Sequence, residues 1–218
     1  MMTRNERKDL FDKVDIYPVT CERLSNGRSD LEVLKGVIDG GARIIQLREK
    51  DLRDGDFYRL AEKFRELTAR AGILLILNDR VDIALATGAD GVHLGQEDFP
   101  VPAARKLAPD LLIGASSHNL EEALRAQEEG ADYVNIGPIF QTGTKEGIEY
   151  FLGPEAIPEI SSRLNIPFTV MGGIKESNIA RVLSSGARKI AVVTAITQAP
   201  DIAEAVRSFR ARIGKGEY

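Results

Sequence analysis

Gly41-Ala42-Arg43-Ile44-Ile45-Gln46-Leu47-Arg48-Glu49-Lys50 holds a helix ending, a strand and a polar tip in succession. Glycine closes a helix cheaply because it enters the left-handed conformation without a Cβ penalty. The β-branched run from Arg43 to Arg48 reads as a strand. The same Gly-Ala step recurs at Gly88-Ala89, Gly130-Ala131 and Gly186-Ala187, each between a helical segment and a strand. Working outward, eight strand candidates emerge: Ile16 to Thr20, Arg43 to Arg48, Ile73 to Asn78, Gly91 to Leu94, Leu112 to Ser116, Asp132 to Gly137, Pro167 to Met171 and Lys189 to Val193. The segments between them carry apolar residues three and four apart, as in Phe57, Leu60, Ala61, Phe64 and Leu67, the spacing of helices packed on a sheet. Strict alternation implies parallel pairing. Eight such strands predict an α/β fold, a single-domain (β/α)8 TIM barrel. A doubly wound open sheet is the alternative, but no Gly-x-Gly-x-x-Gly follows the first strand to support a dinucleotide site.

The chain of 218 residues suits one substantial core, and no Pro/Ser-rich linker divides it. We expect one domain over residues 1–218 with a short polar N-terminal extension of about residues 1–13. Lys+Arg 29 against Asp+Glu 33 gives a net charge of -4, so no long-range field draws nucleic acid or an acidic membrane, and anion binding must come from a local pocket. The lone Cys21 excludes an intramolecular disulfide. Met1 to Asp12 has no apolar core of signal-peptide length, and no run is long enough to cross a bilayer. The expected location is cytoplasmic.

Barrels gather functional groups at the C-terminal ends of their strands. That rim would receive Gln46, Arg48 and Lys50 from strand two, Asn78 and Asp79 from strand three, and His93, Gln96 and Asp98 from strand four. Strand five would add Ser116 and His118. Asp79 and Asp98 are hard oxygen donors on neighbouring strands, suited to Mg²⁺. Arg48, Lys50 and Lys145 could neutralise a phosphate or diphosphate. Gly172-Gly173 and Val193-Thr194, after strands seven and eight, mark a second anion site where barrels commonly bind phosphate.

Each motif has a plainer explanation. Arg48, Glu49 and Lys50 equally describe a solvated strand end with mutual salt bridges. Asp79 could cap a helix beginning near Val81, and Asp98 could cap the helix after Pro100. His93 reads as a buried, hydrogen-bonded histidine, His118 as a helix start or a substrate contact, and Cys21 as a packed thiol. Gly172-Gly173 could be only a tight turn. Agreement among successive strand ends favours function over these separate accounts.

The ordered series Gln46 to Lys50, Asn78 to Arg80, His93 to Asp98, Gly114 to His118, Thr142 to Lys145, Met171 to Ile174 and Val192 to Ile196 resembles the thiamine-phosphate synthase family, over roughly Tyr17 to Ile196. That family joins a hydroxymethylpyrimidine diphosphate to a hydroxyethylthiazole phosphate, releasing pyrophosphate. The resemblance implies Mg²⁺ on Asp79 and Asp98 with Asn78 beside it, and Arg48 and Lys50 on the leaving group. Gln46 and Ser116 would hold the pyrimidine, and Lys145 would close over the diphosphate, making Arg48, Lys50, Ser116 and Lys145 the catalytic set. Thr142 and Thr144 would face the thiazole partner, with Gly143 between them in the substrate-binding set, and Gly173, Val193 and Thr194 would bind the thiazole phosphate. The loop from Pro138 to Gly153 is expected to act as a lid. Gln141 stands where the family commonly has proline and Thr194 where serine is common; neither change removes a required group. Two alternatives remain: a thiazole tautomerase-like barrel, which needs neither the aspartates nor the full Gln-x-Arg-x-Lys cluster, and a non-catalytic regulator that binds thiamine phosphate. A homodimer is a further expectation.

Overall fold

The computed structural model describes residues 2–143 and 150–214. Eight strands, β1 Ile16–Pro18, β2 Ile44–Leu47, β3 Leu74–Asn78, β4 Gly91–Leu94, β5 Leu112–Ser117, β6 Tyr133–Ile136, β7 Phe168–Val170 and β8 Ile190–Val192, form one parallel sheet. Its order runs β1-β8-β7-β6-β5-β4-β3-β2. A parallel bridge between Val19 and Gln46, with the Thr20 N–H donating to the Gln46 carbonyl at 2.9 Å, brings β1 against β2 and closes the barrel. The helices are α1 Arg4–Asp12, α2 Asp30–Asp39, α3 Asp54–Ala71, α4 Val81–Thr87, α5 Val101–Leu107, α6 Leu120–Glu128, α7 Ala156–Ser161, α8 Ile179–Ser184, α9 Thr194–Thr197 and α10 Ile202–Gly214. The glycines of the repeated Gly-Ala step have φ of +78° at Gly41, +66° at Gly88, +95° at Gly130 and +94° at Gly186. They are the left-handed helix endings that the repeat required.

Alternation along the strands separates two cores. Outward-facing Ile45, Leu47, Leu75, Leu77, Val92, Ile113 and Val134 pack with Val33, Phe57 and Phe64 of the helices in one aliphatic layer. Inward-facing Ile44, Leu74, Ile76, Leu112, Tyr17 and Tyr133 fill the barrel itself. Gly114 makes this filling possible: a Cβ there would lie 2.1 Å from Cζ of Tyr133, so the ring crosses the barrel only because β5 has no side chain at that point.

Within the expected polar extension of about residues 1–13, the described residues pack against the barrel. They form α1, opened by a reciprocal capping box between Thr3 and Glu6. Phe11 stacks on Tyr133 at a centroid distance of 4.3 Å, closing the barrel's lower end. Arg4 Nε reaches Asp132 at 2.7 Å, and Arg7 Nη1 donates to the Asp110 carbonyl at 2.6 Å. The stretch looked polar because its cations are spent on the barrel floor. Among the described residues, no helix is long and apolar enough to cross a membrane.

Candidate active site

Strand order brings the ends of β2, β3 and β4 together, and with them Lys50, Asp79 and Asp98. Asp79 follows β3 with φ +63°, a conformation few residues other than glycine adopt, and its N–H donates to the His93 carbonyl at 2.9 Å. Lys50 Nζ lies 2.7 Å from Asp79 Oδ2, reaching across strands rather than back to Glu49. Asp98 Oδ2 accepts the Gly95 N–H at 2.7 Å. Neither aspartate caps a helix: α4 follows Arg80 and α5 follows Pro100, both without a side-chain cap.

The two carboxyls lie close enough to shift each other's titration in opposite directions. Burial, followed by the Asp98 carboxyl, pushes Asp79 above the ordinary carboxylate range despite Lys50. Burial pushes Asp98 the same way, but Asp79, the Gly95 N–H and Lys50 outweigh it and hold Asp98 low. Two carboxyls this close, one pushed up and one held low, form a site whose negative charge a cation would relieve.

Arg48, Lys50, Asn78, Asp79 and Asp98 line a single pocket. The Arg48 backbone N–H donates to Thr20 Oγ1 at 3.0 Å, and its Nη1 lies 3.9 Å from Cys21 Sγ. Cys21 itself is buried, and burial with help from Glu49 pushes its thiol up, away from nucleophilic duty.

Beneath the charged mouth runs a buried polar relay. Gln46 Nε2 donates to the Tyr17 hydroxyl at 3.0 Å, which meets the Tyr133 hydroxyl at 2.9 Å. Tyr133 continues to His93 Nδ1 at 3.2 Å, and His93 Nε2 to Ser116 Oγ at 3.0 Å. Burial lowers His93 to about 4, so the imidazole is neutral and carries one N–H for its two partners. Both ends of the relay, Gln46 and Ser116, line the pocket.

Across the pocket stand Gly172 and Gly173, with φ of +104° and +61°. A Cβ on Gly172 would lie 2.5 Å from Pro138 Cβ, and one on Gly173 would lie 2.4 Å from the Gln141 carbonyl oxygen. The pair is thus a turn and a close approach to the following loop at once. Gly173, Val193 and Thr194 line the same pocket as the aspartates, and so does Thr142. Gly143 ends a described stretch and does not line the pocket. Thr144 and Lys145, with the middle of the expected lid, lie outside the described residues. His118 lines the mouth and is tied to the first turn of α6, its backbone N–H and Nδ1 each 2.8 Å from Glu122 Oε2.

Sequence reasoning missed Tyr17, Asn135 and Thr169, which also line the floor; the Thr169 hydroxyl donates to Asn135 Oδ1 at 2.8 Å. The available signal was a polar residue at the inward parity of an otherwise apolar strand, as in Tyr133-Val134-Asn135-Ile136.

With this geometry established, comparison with known proteins is specific. Residues 16–196 match the family model described as thiamine monophosphate synthase. The thiamine-phosphate synthase of Caldicellulosiruptor saccharolyticus is 42% identical, covering 95% of each chain. That of Chloroflexus aurantiacus is 46% identical, covering 91% of this chain and 92% of its own. The solved thiamine phosphate pyrophosphorylase from Pyrococcus furiosus superposes with a TM-score of 0.87 at 36% identity, over 98% of this chain and 100% of that one.

Proposed function

This chain belongs to the thiamine monophosphate synthase family and is a transferase, and from that premise we propose that it condenses 4-amino-2-methyl-5-hydroxymethylpyrimidine diphosphate with 4-methyl-5-(2-hydroxyethyl)thiazole phosphate, giving thiamine phosphate and pyrophosphate. The observation that carries the proposal is one pocket with paired carboxylates and cations at one side and the Gly173 and Thr194 turns at the other. A diphosphate and a phosphate can face each other there.

Asp79 and Asp98 would hold Mg²⁺, because two hard oxygen donors on neighbouring strand ends, close enough to shift each other's titration, fit a divalent cation. When bound, the ion supplies neutralising charge to the diphosphate. Arg48 and Lys50 would hold the same oxygens as the C–O bond breaks and negative charge gathers on pyrophosphate, with Asn78 beside them. Gln46 spends Nε2 on Tyr17, leaving Oε1 to accept from the pyrimidine's exocyclic amine, and Ser116 would hold the ring from the relay's other end. Thr142, Gly143 and Thr144 are assigned to the thiazole, Gly173, Val193 and Thr194 to its phosphate, and Lys145 to the diphosphate. The thiazole nitrogen then attacks the pyrimidinylmethyl cation. Such a dissociative reaction asks for placed charge rather than a strong base, and each preorganised donor is worth about 10²–10³ in rate.

The test is thiamine phosphate formation from the two precursors, with Mg²⁺ and with chelator, read as fluorescent thiochrome after oxidation. Product that requires Mg²⁺ is the expected result. Absence of product while both precursors bind would overturn catalysis in favour of a regulator.

A further inference from the structure

Asp30 opens α2 and is only 1% exposed; among the described residues, neither carboxyl oxygen has a hydrogen bond of full geometry, and the one neutral donor beside it is the Thr20 hydroxyl. An ionised carboxylate in that position would be a buried charge with no cation among those residues paired to it and only the Thr20 hydroxyl to oppose its burial. A carboxylic acid, with its own O–H to give, would not. The group beside it is the Glu49 carboxylate, the hydrogen-bond partner for that proton. Glu49 Oε1 also accepts the Glu22 N–H at 2.7 Å, while Glu22 Oε2 accepts the Asp30 N–H at 3.3 Å. Three acids therefore form a closed set of contacts behind the β2 tip.

Their position gives the set its meaning. β2 ends at Leu47, so residues 48 to 50 lie beyond the regular ladder. Arg48 and Lys50 line the pocket, whereas Glu49 between them does not. With Arg48 and Lys50 on the pocket side and Glu49 behind, fixing Glu49 limits the directions open to the cations on either side. We propose that Asp30, as a neutral acid donating to Glu49, is a positioning residue that aims Arg48 and Lys50 at the diphosphate. This deepens the synthase proposal and rests on it.

The groups facing the pair fix its pH response. Burial, then Glu49 and Glu22, raise Asp30 to about 8, with Thr20 opposing. Burial and Glu22 raise Glu49, while the Glu22 N–H and Arg48 oppose. Cys21 lies next to the pair, its thiol acted on by Glu49, Arg48 and Arg23. Above that pH Asp30 loses the hydrogen it donates, and two adjacent carboxylates repel.

Two variants and one spectrum test this. Asp30→Asn keeps a donor that does not titrate; Asp30→Leu keeps bulk without a donor. In the thiamine phosphate assay, Asp30→Asn should hold KM for the pyrimidine diphosphate within about threefold and lose the alkaline fall in kcat/KM that the wild type shows. Asp30→Leu should raise that KM at neutral pH by about 10-fold or more, the scale of one lost hydrogen bond to a charged group. An alkaline fall that persists in Asp30→Asn, or is absent from the wild type, overturns the proposal, as does a folded Asp30→Leu with unchanged KM. Should the leucine variant fail to fold, the asparagine profile decides alone. The infrared difference between wild type and Asp30→Asn should contain a protonated-carboxyl band at neutral pH, and its absence overturns the acid independently of turnover. A wild type that makes no thiamine phosphate would defeat the synthase reading, while that band would still report on Asp30.

Discussion

Leu77 and Asn78 are consecutive on one strand and belong to different worlds. Leu77 faces the helices within an aliphatic layer and is fully buried; Asn78 turns inward to the pocket. The same division holds for Ile113 against Gly114 and Val134 against Asn135. On the outer face the demand is for volume, met by Leu, Ile and Val with little regard to order. On the inner face each position has its own requirement, grading from Phe11 and Leu74 at the bottom through the Tyr17–Tyr133–His93 relay to the charges at the mouth. Stability and chemistry are thus assigned to opposite parities of the same strands.

This comparison can be broken. Leu77→Ala should lower the free energy of unfolding by about 2–5 kcal/mol, the cost of a cavity in a packed layer. Activity per folded molecule should be nearly unchanged, as denaturant titration paired with the thiochrome assay would show. A large loss of turnover at full folding would mean the outer face also tunes the site. Asp79→Asn should do the opposite, lowering kcat/KM by about 10²–10³ without lowering the melting temperature, since it removes one of two adjacent carboxylates. An unchanged rate would remove Asp79 from the metal site.

The relay sharpens the comparison at an intermediate point, where an inner-face residue also bears on stability. His93 is held at about 4 against an ordinary 6.5, so folding keeps it neutral where an unfolded histidine would bind a proton. A depressed folded value means that stability is intact above about pH 6.5 and is lost as pH falls toward 4. The loss amounts to about 3 kcal/mol when complete. Comparing unfolding of wild type and His93→Asn at neutral and acidic pH isolates it; an equal acid loss in both would show that His93 is not the group responsible.

The outer face was the legible part. β-branched runs and the Gly41, Gly88, Gly130 and Gly186 endings depend on neighbours within a few residues, so all eight strands were found within one or two residues of their ends. The charged mouth was legible because Arg48, Lys50, Asp79 and Asp98 each follow a strand. What local reasoning got wrong there was the aspartates' plainer explanation: only the structure reveals that α4 and α5 begin without them. The relay was illegible for another reason. Tyr17 and Tyr133 meet across 116 positions of sequence, and no local pattern announces a partner that far away. The stretch before β1 reads as polar by composition, although Phe11 and Arg7 are buried against the barrel.

The backbone of Asp79 has a consequence for how such a protein would change under selection. A residue with a Cβ pays for a φ of +63°, by roughly a kcal/mol or more for most types, and glycine pays nothing. A population selected for heat tolerance alone would therefore find Asp79→Gly an easy step, and on the proposed metal role would lose its chemistry in taking it. On that role, an aspartate that persists there is kept by the reaction against the preference of the fold.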